Sequence, residues 1–243
     1  MTHGTHATTN PVFSPYADMI KQPHLLIAGA TGSGKSVILN GIIYTLLSFP
    51  HGFCDIWLCD PKRVEFKKYR KCKAVKHYAS DISDINALLK AAVDEMEARY
   101  KRIDADLFQV QSRERPIYII IDEFADLMTQ SRESEQCIIR LSQKARASGI
   151  HLITATQRPT ADIINKRISV NITARVGLRT ATAQDSRNII LSKGCEELPK
   201  YGYMYYLTPD TVQPELHKAY FYTASAIRDK INEVPKRIFT KAR

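Results

Sequence analysis

The feature that most constrains this chain is a glycine-rich segment of eight residues between a short apolar run and a stretch with helical periodicity. The segment reads G-x-x-x-x-G-K-S and consists of Gly29, Ala30, Thr31, Gly32, Ser33, Gly34, Lys35 and Ser36. Residues 24–28 before it are mostly apolar, and residues 37–47 after it carry apolar side chains at helical spacing. This motif requires the order strand, glycine loop and helix. The segment therefore predicts a phosphate-binding loop.

Each residue type in this loop suits a phosphate ligand. Its three glycines let the backbone turn sharply, so that N–H groups can point at phosphate oxygens. The following helix adds the positive end of its dipole. We expect Lys35 to reach the β- and γ-phosphates of ATP and the Ser36 hydroxyl to hold Mg²⁺. The alternative is a chance glycine loop with a buried serine, and the flanking strand and helix argue against it.

Composition limits the class of protein. Of the 243 residues 44% are hydrophobic, which is enough for a core and argues against disorder. No apolar run approaches the roughly 20 residues of a membrane span, and the first ten residues lack a signal-peptide core, so we expect a cytoplasmic chain. Five scattered cysteines without a C-x-x-C pair argue against zinc or a disulfide framework. The net charge of +10 suits a polyanionic partner, or a basic surface that only aids solubility.

Strand and helix signals alternate along the chain. We predict strands at 54–59, 117–121, 150–155 and 175–178, helices at 37–48, 82–103, 133–148 and 224–233, and a pairing of 203–207 with 216–222. This alternation predicts an α/β fold with a mostly parallel, doubly wound sheet and a small C-terminal β-hairpin and helix. Residues 1–22 are interpreted as an N-terminal arm or a partial first layer, 23–235 as one domain and 236–243 as a basic tail. Ligands in such sheets bind beyond the carboxyl ends of the strands.

Polar residues follow two of the predicted buried strands. Asp122 and Glu123 come directly after strand 117–121 and suit a Walker B pair, in which Asp122 holds Mg²⁺ and Glu123 orients or deprotonates the attacking water. The alternative is two acids that only end a strand and cap the next helix. Gln157 follows strand 150–155, where its amide can hydrogen-bond the γ-phosphate or the attacking water.

Together these motifs resemble a known family. Residues 28–36, 60–62, 121–127, 143–152, 155–160, 185–187 and 201–204 occur in the order found in the motor domain of the FtsK/SpoIIIE DNA translocases. The resemblance extends over about residues 11–225. It implies a RecA-like P-loop NTPase core, a homo-hexameric ring and ATP-driven movement along double-stranded DNA through a central pore.

The resemblance also implies residues that act outside the subunit's own nucleotide site. In such rings an arginine from the neighbouring subunit completes the site; Arg146 is the first candidate, with Arg187 and Arg175 in reserve. The family places a pore loop between residues 158 and 175, so Lys166 and Arg167 are expected to contact DNA phosphates. A solvated loop is the alternative.

Several departures from the family limit the resemblance. Residues 62–76 are strongly basic, and their neighbours Phe66, Tyr69 and Tyr78 could stack on DNA, although a solvated outer face is the preferred interpretation. We expect no membrane region before the motor, at most a vestige of the family's preceding α-type domain, and no winged helix after about residue 235. We therefore expect a compact motor of a mobile element, plasmid or phage, or a fragment of a longer protein.

Other functions remain open from the sequence. A coupling or secretion ATPase would drive a protein or a relaxase–DNA complex, with a relaxase, a recombinase or a secreted protein as partner. A nucleotide-gated platform without turnover would make the intact Lys35, Asp122 and Glu123 superfluous. A small-molecule kinase would need a lid that the sequence does not show, and Glu123 suits water as the nucleophile.

Overall fold

The computed structural model describes residues 22–50, 53–104 and 111–233. The predicted basic tail and, apart from Gln22, the predicted N-terminal arm lie outside the described residues.

One eight-stranded sheet organises the fold. The strands are β1 His24–Ala28, β2 Asp55–Cys59, β3 Val75–Ala79, β4 Ile117–Ile121, β5 Ile150–Thr156, β6 Ala174–Gly177, β7 Tyr203–Leu207 and β8 Glu215–Lys218. They lie in the order β3-β2-β4-β5-β1-β6-β7-β8. The pairings from β3 to β6 are parallel, whereas β6–β7 and β7–β8 are antiparallel. The predicted α/β fold with a mostly parallel sheet and a C-terminal hairpin is confirmed.

Helices cover both faces of the sheet. They are α1 Lys35–Leu47, α2 Ile82–Asp104, α3 Phe124–Gln130, α4 Arg132–Lys144, α5 Lys166–Ser169, α6 Ala183–Ile190 and α7 Ala224–Glu233. Alternate residues of β1 enter different apolar clusters: Leu26 packs with α2, α3 and α4, whereas Leu25 and Ile27 pack with α1. A strand that is buried on both faces has a nearly continuous run of apolar residues, as β1 and β4 have.

The strand order decides which loops meet. β5 lies between β1 and β4, and β2 lies beyond β4. Neighbouring strands are about 4.8 Å apart, so β1 and β4 are separated by about 10 Å. Because these four strands are parallel, the residues after their carboxyl ends share one edge of the sheet. The phosphate loop, the pair Asp122 and Glu123, and Gln157 therefore all lie at that edge.

The structure corrects the interpretation of the basic segment 62–76. This segment forms a short 3-10 helix, Lys67–Tyr69, and leads into β3, which was not predicted. Phe66 and Tyr69 are fully buried in the core. The possibility that these two rings stack on DNA is therefore wrong. Tyr78 is partly buried, and its hydroxyl donates to Asp60 Oδ2 over 3.3 Å.

Several boundaries also differ from the prediction. The helix expected at 133–148 ends at Lys144, and residues 145–148 form turns before Gly149, whose φ is +70°. The strand expected at 216–222 is Glu215–Lys218. The helices α3, α5 and α6 were not predicted, because four to eight residues are too few to establish a helical period. Within the described ranges, no helix is long and apolar enough to cross a membrane.

Candidate functional site

The phosphate loop connects β1 to α1 in a backbone conformation that requires glycine. Gly32 and Gly34 have φ values of +76° and +106°, which side chains rarely adopt. A Cβ on Gly29 would lie 2.6 Å from Leu178 Cβ, so this position tolerates no side chain. The amide of Ala30 donates to the carbonyl of Arg179 over 2.8 Å, which joins the loop to the segment after β6.

The residues present fit a bound nucleotide. Ser33 Oγ is buried and has no hydrogen-bond partner in the described part of the chain. An unpaired buried hydroxyl is costly, which suggests that a ligand pairs with it. The first turn of α1 carries no acidic residue, so its positive end is available for an anion. Ser36 and Asp122 supply the hydroxyl and carboxylate oxygens that Mg²⁺ prefers.

Lys35 and Asp122 form an ion pair at the centre of the site. Both side chains are only 6% exposed. Burial raises the pKa of the Asp122 carboxyl, whereas the Lys35 ammonium beside it lowers that pKa. Removal of one partner would leave an unpaired buried charge, which costs about 3–5 kcal/mol. The predicted Walker A lysine and Walker B aspartate are therefore brought into direct contact across β5.

Ser36 takes part in a hydrogen-bond network that the sequence did not predict, and this network runs from the exposed Ser36 hydroxyl to the buried Tyr69. Its hydroxyl donates to Glu65 Oε2 over 2.5 Å, and the other oxygen of Glu65 accepts from Asn40 Nδ2 over 2.7 Å. The Tyr69 hydroxyl donates to Asn40 Oδ1 over 2.6 Å. The only acid in a strongly basic segment therefore sits beside the predicted magnesium ligand Ser36.

Glu123 is fully enclosed and fully hydrogen-bonded. Its Oε1 accepts from Thr156 Oγ1 over 2.5 Å and from the amide of Gln157 over 3.1 Å. Its Oε2 accepts from Lys62 Nζ over 3.1 Å and shares the Gln157 amide over 3.2 Å. The contact with Lys62 was not predicted.

Gln157 connects the two halves of the site. Its side-chain oxygen accepts from Thr31 Oγ1 in the phosphate loop over 2.9 Å, while its backbone amide donates to Glu123. A change at the phosphate loop therefore has a direct route to the residue predicted to activate water. The role of Gln157 as a nucleotide sensor stays a prediction.

The three arginine candidates lie in different environments. Arg146 is exposed and close enough to His24, at the amino end of β1, to lower its pKa. That is the edge of the sheet opposite the phosphate loop, so Arg146 cannot serve its own site. Arg187 is exposed on α6, which packs beside the loop after β5 through a hydrogen bond from Asn188 Nδ2 to the Pro159 carbonyl, 2.8 Å long.

Arg175 is unsuited to a role in a neighbouring site. It is 4% exposed, and its guanidinium donates to the carbonyls of Ser169, Ile172 and Ile189. These contacts hold it inside its own subunit, so this reserve candidate is wrong.

Lys166 and Arg167 are exposed in the first turn of the short helix α5. The Asn165 side chain caps this helix by accepting from the amides of Arg167 and Ile168, over 3.0 and 3.2 Å. Both cations are therefore presented on an ordered turn. Their contact with DNA stays a prediction.

The sequence analysis counted residues 60–62 among the family motifs but gave Lys62 and Glu65 no role in the site, because a run of cations follows them. A usable signal was present, since β2 ends at Cys59 and pairs in parallel with β4. Residues after β2 therefore emerge at the same edge as Asp122 and Glu123. The missing step was the strand order, which the sequence alone does not contain.

The fold and the site together define a P-loop ATPase with a RecA-like α/β core. A model of the FtsK/SpoIIIE family matches residues 8–115 and 106–161. The chain belongs to the FtsK/SpoIIIE family. DNA translocase SftA of Bacillus subtilis is 40% identical over 227 residues, which are 87% of this chain and 24% of SftA. DNA translocase SpoIIIE of the same bacterium is 37% identical over 90% of this chain and 30% of its own length.

This chain thus spans about a quarter to a third of the length of these relatives.

Solved structures also resemble this chain. The pCW3 conjugation coupling protein TcpA, in a monomer form with ATPγS, superposes with a TM-score of 0.76 and is 29% identical. The match covers 89% of this chain and 66% of TcpA. The cytoplasmic domain of the type VII secretion ATPase EccC of Thermomonospora curvata superposes with a TM-score of 0.74 at 18% identity, over 87% of this chain and 28% of EccC. The second likeness shows the shared fold alone.

Proposed function

We propose that this chain hydrolyses ATP with Mg²⁺ and uses the energy to move double-stranded DNA. The observation that carries the ATPase part is the convergence of Lys35, Asp122, Glu123 and Gln157 at one edge of the sheet. The DNA part is supported by the similarity to the two translocases of Bacillus subtilis.

Each site residue has a role in this proposal. Lys35 exchanges its contact with Asp122 for the β- and γ-phosphate oxygens of ATP. Ser36 and Asp122 would hold Mg²⁺, which would supply positive charge beside the phosphates. Glu123 orients the attacking water and accepts its proton. Gln157 contacts the γ-phosphate or this water and passes the change to Glu123 through its backbone amide.

Assembly completes the site in this proposal. The subunits form a homo-hexameric ring, and Arg146 of one subunit stabilises charge in the site of the next. An arginine supplied in this way is worth on the order of 10³–10⁵ in rate in other NTPases. Lys166 and Arg167 contact the DNA backbone in the pore without reading its sequence.

Two variants with different expected defects test the ATPase assignment. Glu123→Gln keeps the size and the acceptor oxygen of the side chain but removes the base, so nucleotide affinity stays while turnover falls at least about 100-fold. Lys35→Ala loses both affinity and turnover. Binding of a fluorescent ATP analogue and release of phosphate are measured with and without duplex DNA. Normal turnover by Glu123→Gln would show that Glu123 is not the base. If duplex DNA did not stimulate phosphate release in an assembled sample, DNA would not be the substrate.

The likeness to TcpA supports a second candidate, a coupling ATPase. In that case the same motor handles a relaxase–DNA complex or a secreted protein. Stimulation of phosphate release by the partner protein, at a concentration of duplex DNA that has no effect, would favour this function.

A further inference from the structure

A single loop, residues 60–66, contacts both the residue predicted to activate water and the predicted magnesium ligand Ser36. Lys62 Nζ lies 3.1 Å from Glu123 Oε2, and Glu65 accepts from Ser36. We propose that Lys62 is a positioning residue that holds Glu123 in a resting orientation and restrains hydrolysis until Lys62 is withdrawn. This proposal rests on the role given above to Glu123.

The bonding of Glu123 explains why it must be released. An ionised carboxylate offers about four lone-pair positions. In Glu123 these are used by the Thr156 hydroxyl, by the Gln157 amide, which both oxygens share, and by Lys62. The side chain is also fully enclosed. Three donors already contact this enclosed carboxylate, so the departure of one donor makes room for a water molecule.

Lys62 is the most exposed of these donors. The Thr156 hydroxyl belongs to a fully buried residue at the end of β5, and the Gln157 donor is the backbone amide that follows it, so both have less freedom to move than Lys62. The Lys62 side chain is 41% exposed and can turn into water. Glu123 itself is fully buried, so after Lys62 leaves, its charge depends on the Thr156 and Gln157 donors and on the incoming water.

The loop that carries Lys62 is held firmly at both ends. Asp60 is fully buried, and its carboxylate accepts from the amides of Val64, Glu65 and Phe66, over 3.2, 3.4 and 2.9 Å. Phe66 is anchored in the core. Lys62 and Glu65 therefore occupy defined positions, one at Glu123 and the other at Ser36, and the Lys62 side chain can turn away while the loop stays in place.

The test compares Lys62→Met with the conservative variant Lys62→Arg and with Lys67→Met, a matched loss of charge at an exposed position of the same basic segment. We expect Lys62→Met to raise the DNA-free kcat about fivefold, to leave KM for ATP within about twofold, and to lower the ratio of DNA-stimulated to basal turnover. A fivefold change corresponds to about 1 kcal/mol, the upper range for a partly exposed ion pair. Lys62→Arg and Lys67→Met should keep the wild-type basal rate.

A second measurement does not depend on turnover. Thermal unfolding is recorded without nucleotide for Lys62→Met, Glu123→Gln and the double variant. If Lys62 holds Glu123, the Tm of the double variant falls by less than the sum of the decreases in Tm of the two single variants.

The outcomes separate this proposal from the proposed function. An unchanged or lower basal kcat for Lys62→Met, in a sample that melts normally, overturns the restraint. Additive Tm shifts overturn the contact. If Glu123→Gln still hydrolyses ATP, the role assigned to Glu123 is wrong instead. If DNA does not stimulate the wild-type protein, the proposal that DNA is the substrate is wrong, but the comparison of basal kcat between Lys62→Met and the wild type remains valid.

Discussion

His24 is a buried residue with a titratable ring that the proposed chemistry does not use. Its side chain lies at the amino end of β1, where Nδ1 accepts from the Leu152 amide over 3.1 Å and Nε2 has no partner in the described ranges. Burial, followed by the charges of His151 and Arg146, lowers the pKa of His24 to about 3. Burial likewise lowers the pKa of His151 to about 4.

These lowered pKa values predict a loss of stability in mild acid. Below about pH 6.5 the unfolded chain binds protons at both histidines, whereas the folded chain does not. The free energy of unfolding is therefore fully present above pH 6.5 and falls as the pH approaches 4. For His24 alone we expect a loss of about 2 kcal/mol between pH 6.5 and 4.5. His24→Asn keeps an acceptor for Leu152 and should remove that part of the pH dependence. Urea unfolding at several pH values measures it.

The comparison variant is His151→Asn, because burial lowers the pKa of His151 less far than that of His24. It should remove a smaller part of the pH dependence than His24→Asn does. If His24→Asn retained the wild-type slope, the acid sensitivity would belong to other groups.

Among the elements, central strands and peripheral helices differ sharply in burial. All five residues of β4 are buried, as are those of β1. By contrast, α7 has no buried residue. It lies against α1, where the Tyr44 ring is 5.5 Å from Lys230 Nζ and stacks at 3.8 Å on Tyr222, which lies just before α7. Its partly buried Ile227 and Ile231 pack against the core.

This difference predicts a gradient of hydrogen exchange. Local opening of α7 exposes little apolar surface, whereas opening of β1 or β4 requires the whole sheet to separate. We expect the amides of α7 to exchange at least about 100-fold faster than those of β1 and β4, in hydrogen exchange followed by mass spectrometry. The long helix α2, with its buried face, serves as the internal comparison. Equal protection of α7 and α2 would show that α7 is held by contacts beyond those described.

At the scale of the whole molecule, the position of Arg146 bears on how the ATPase assembles. It lies at the amino edge of the sheet, whereas the phosphate loop lies at the carboxyl edge. A role in hydrolysis therefore requires a second subunit that presents this edge to the site, as in a head-to-tail ring.

Mixing of inactive subunits tests this arrangement. Lys35→Ala fails in its own site and Arg146→Ala fails in its neighbour's, so a mixed ring regains sites with both residues intact. With random mixing of equal amounts, about a quarter of the sites are competent. Phosphate release is measured before and after subunit exchange. A mixture of Lys35→Ala with Glu123→Gln is the control and should stay inactive, because both residues belong to the same subunit's site.

If the Arg146→Ala mixture stayed inactive after verified subunit exchange, Arg146 would not act in the neighbouring site. If a mixture of Lys35→Ala with Arg187→Ala regained phosphate release in the same experiment, Arg187 on α6 would be the arginine that acts in the neighbouring site.

The positions of the central strands could be predicted from the sequence because these strands are buried on both faces. Runs such as residues 117–121 have no polar alternation and no competing helical period, and so they were placed correctly. Short elements were missed, since α3 and α6 have seven and eight residues. The strand β3 was also missed, because Lys76 and His77 interrupt its apolar pattern at the sheet edge.

The sequence by itself determined the phosphate loop, the acids after β4 and the family, because each depends on residue types at fixed local spacing. Only the tertiary structure decided that β5 lies between β1 and β4, that Glu65 reaches Ser36, and that Lys62 holds Glu123. These contacts join residues 29 and 61 positions apart. They depend on which strands pair, and that pairing is set by the burial of whole sheet faces rather than by any local pattern.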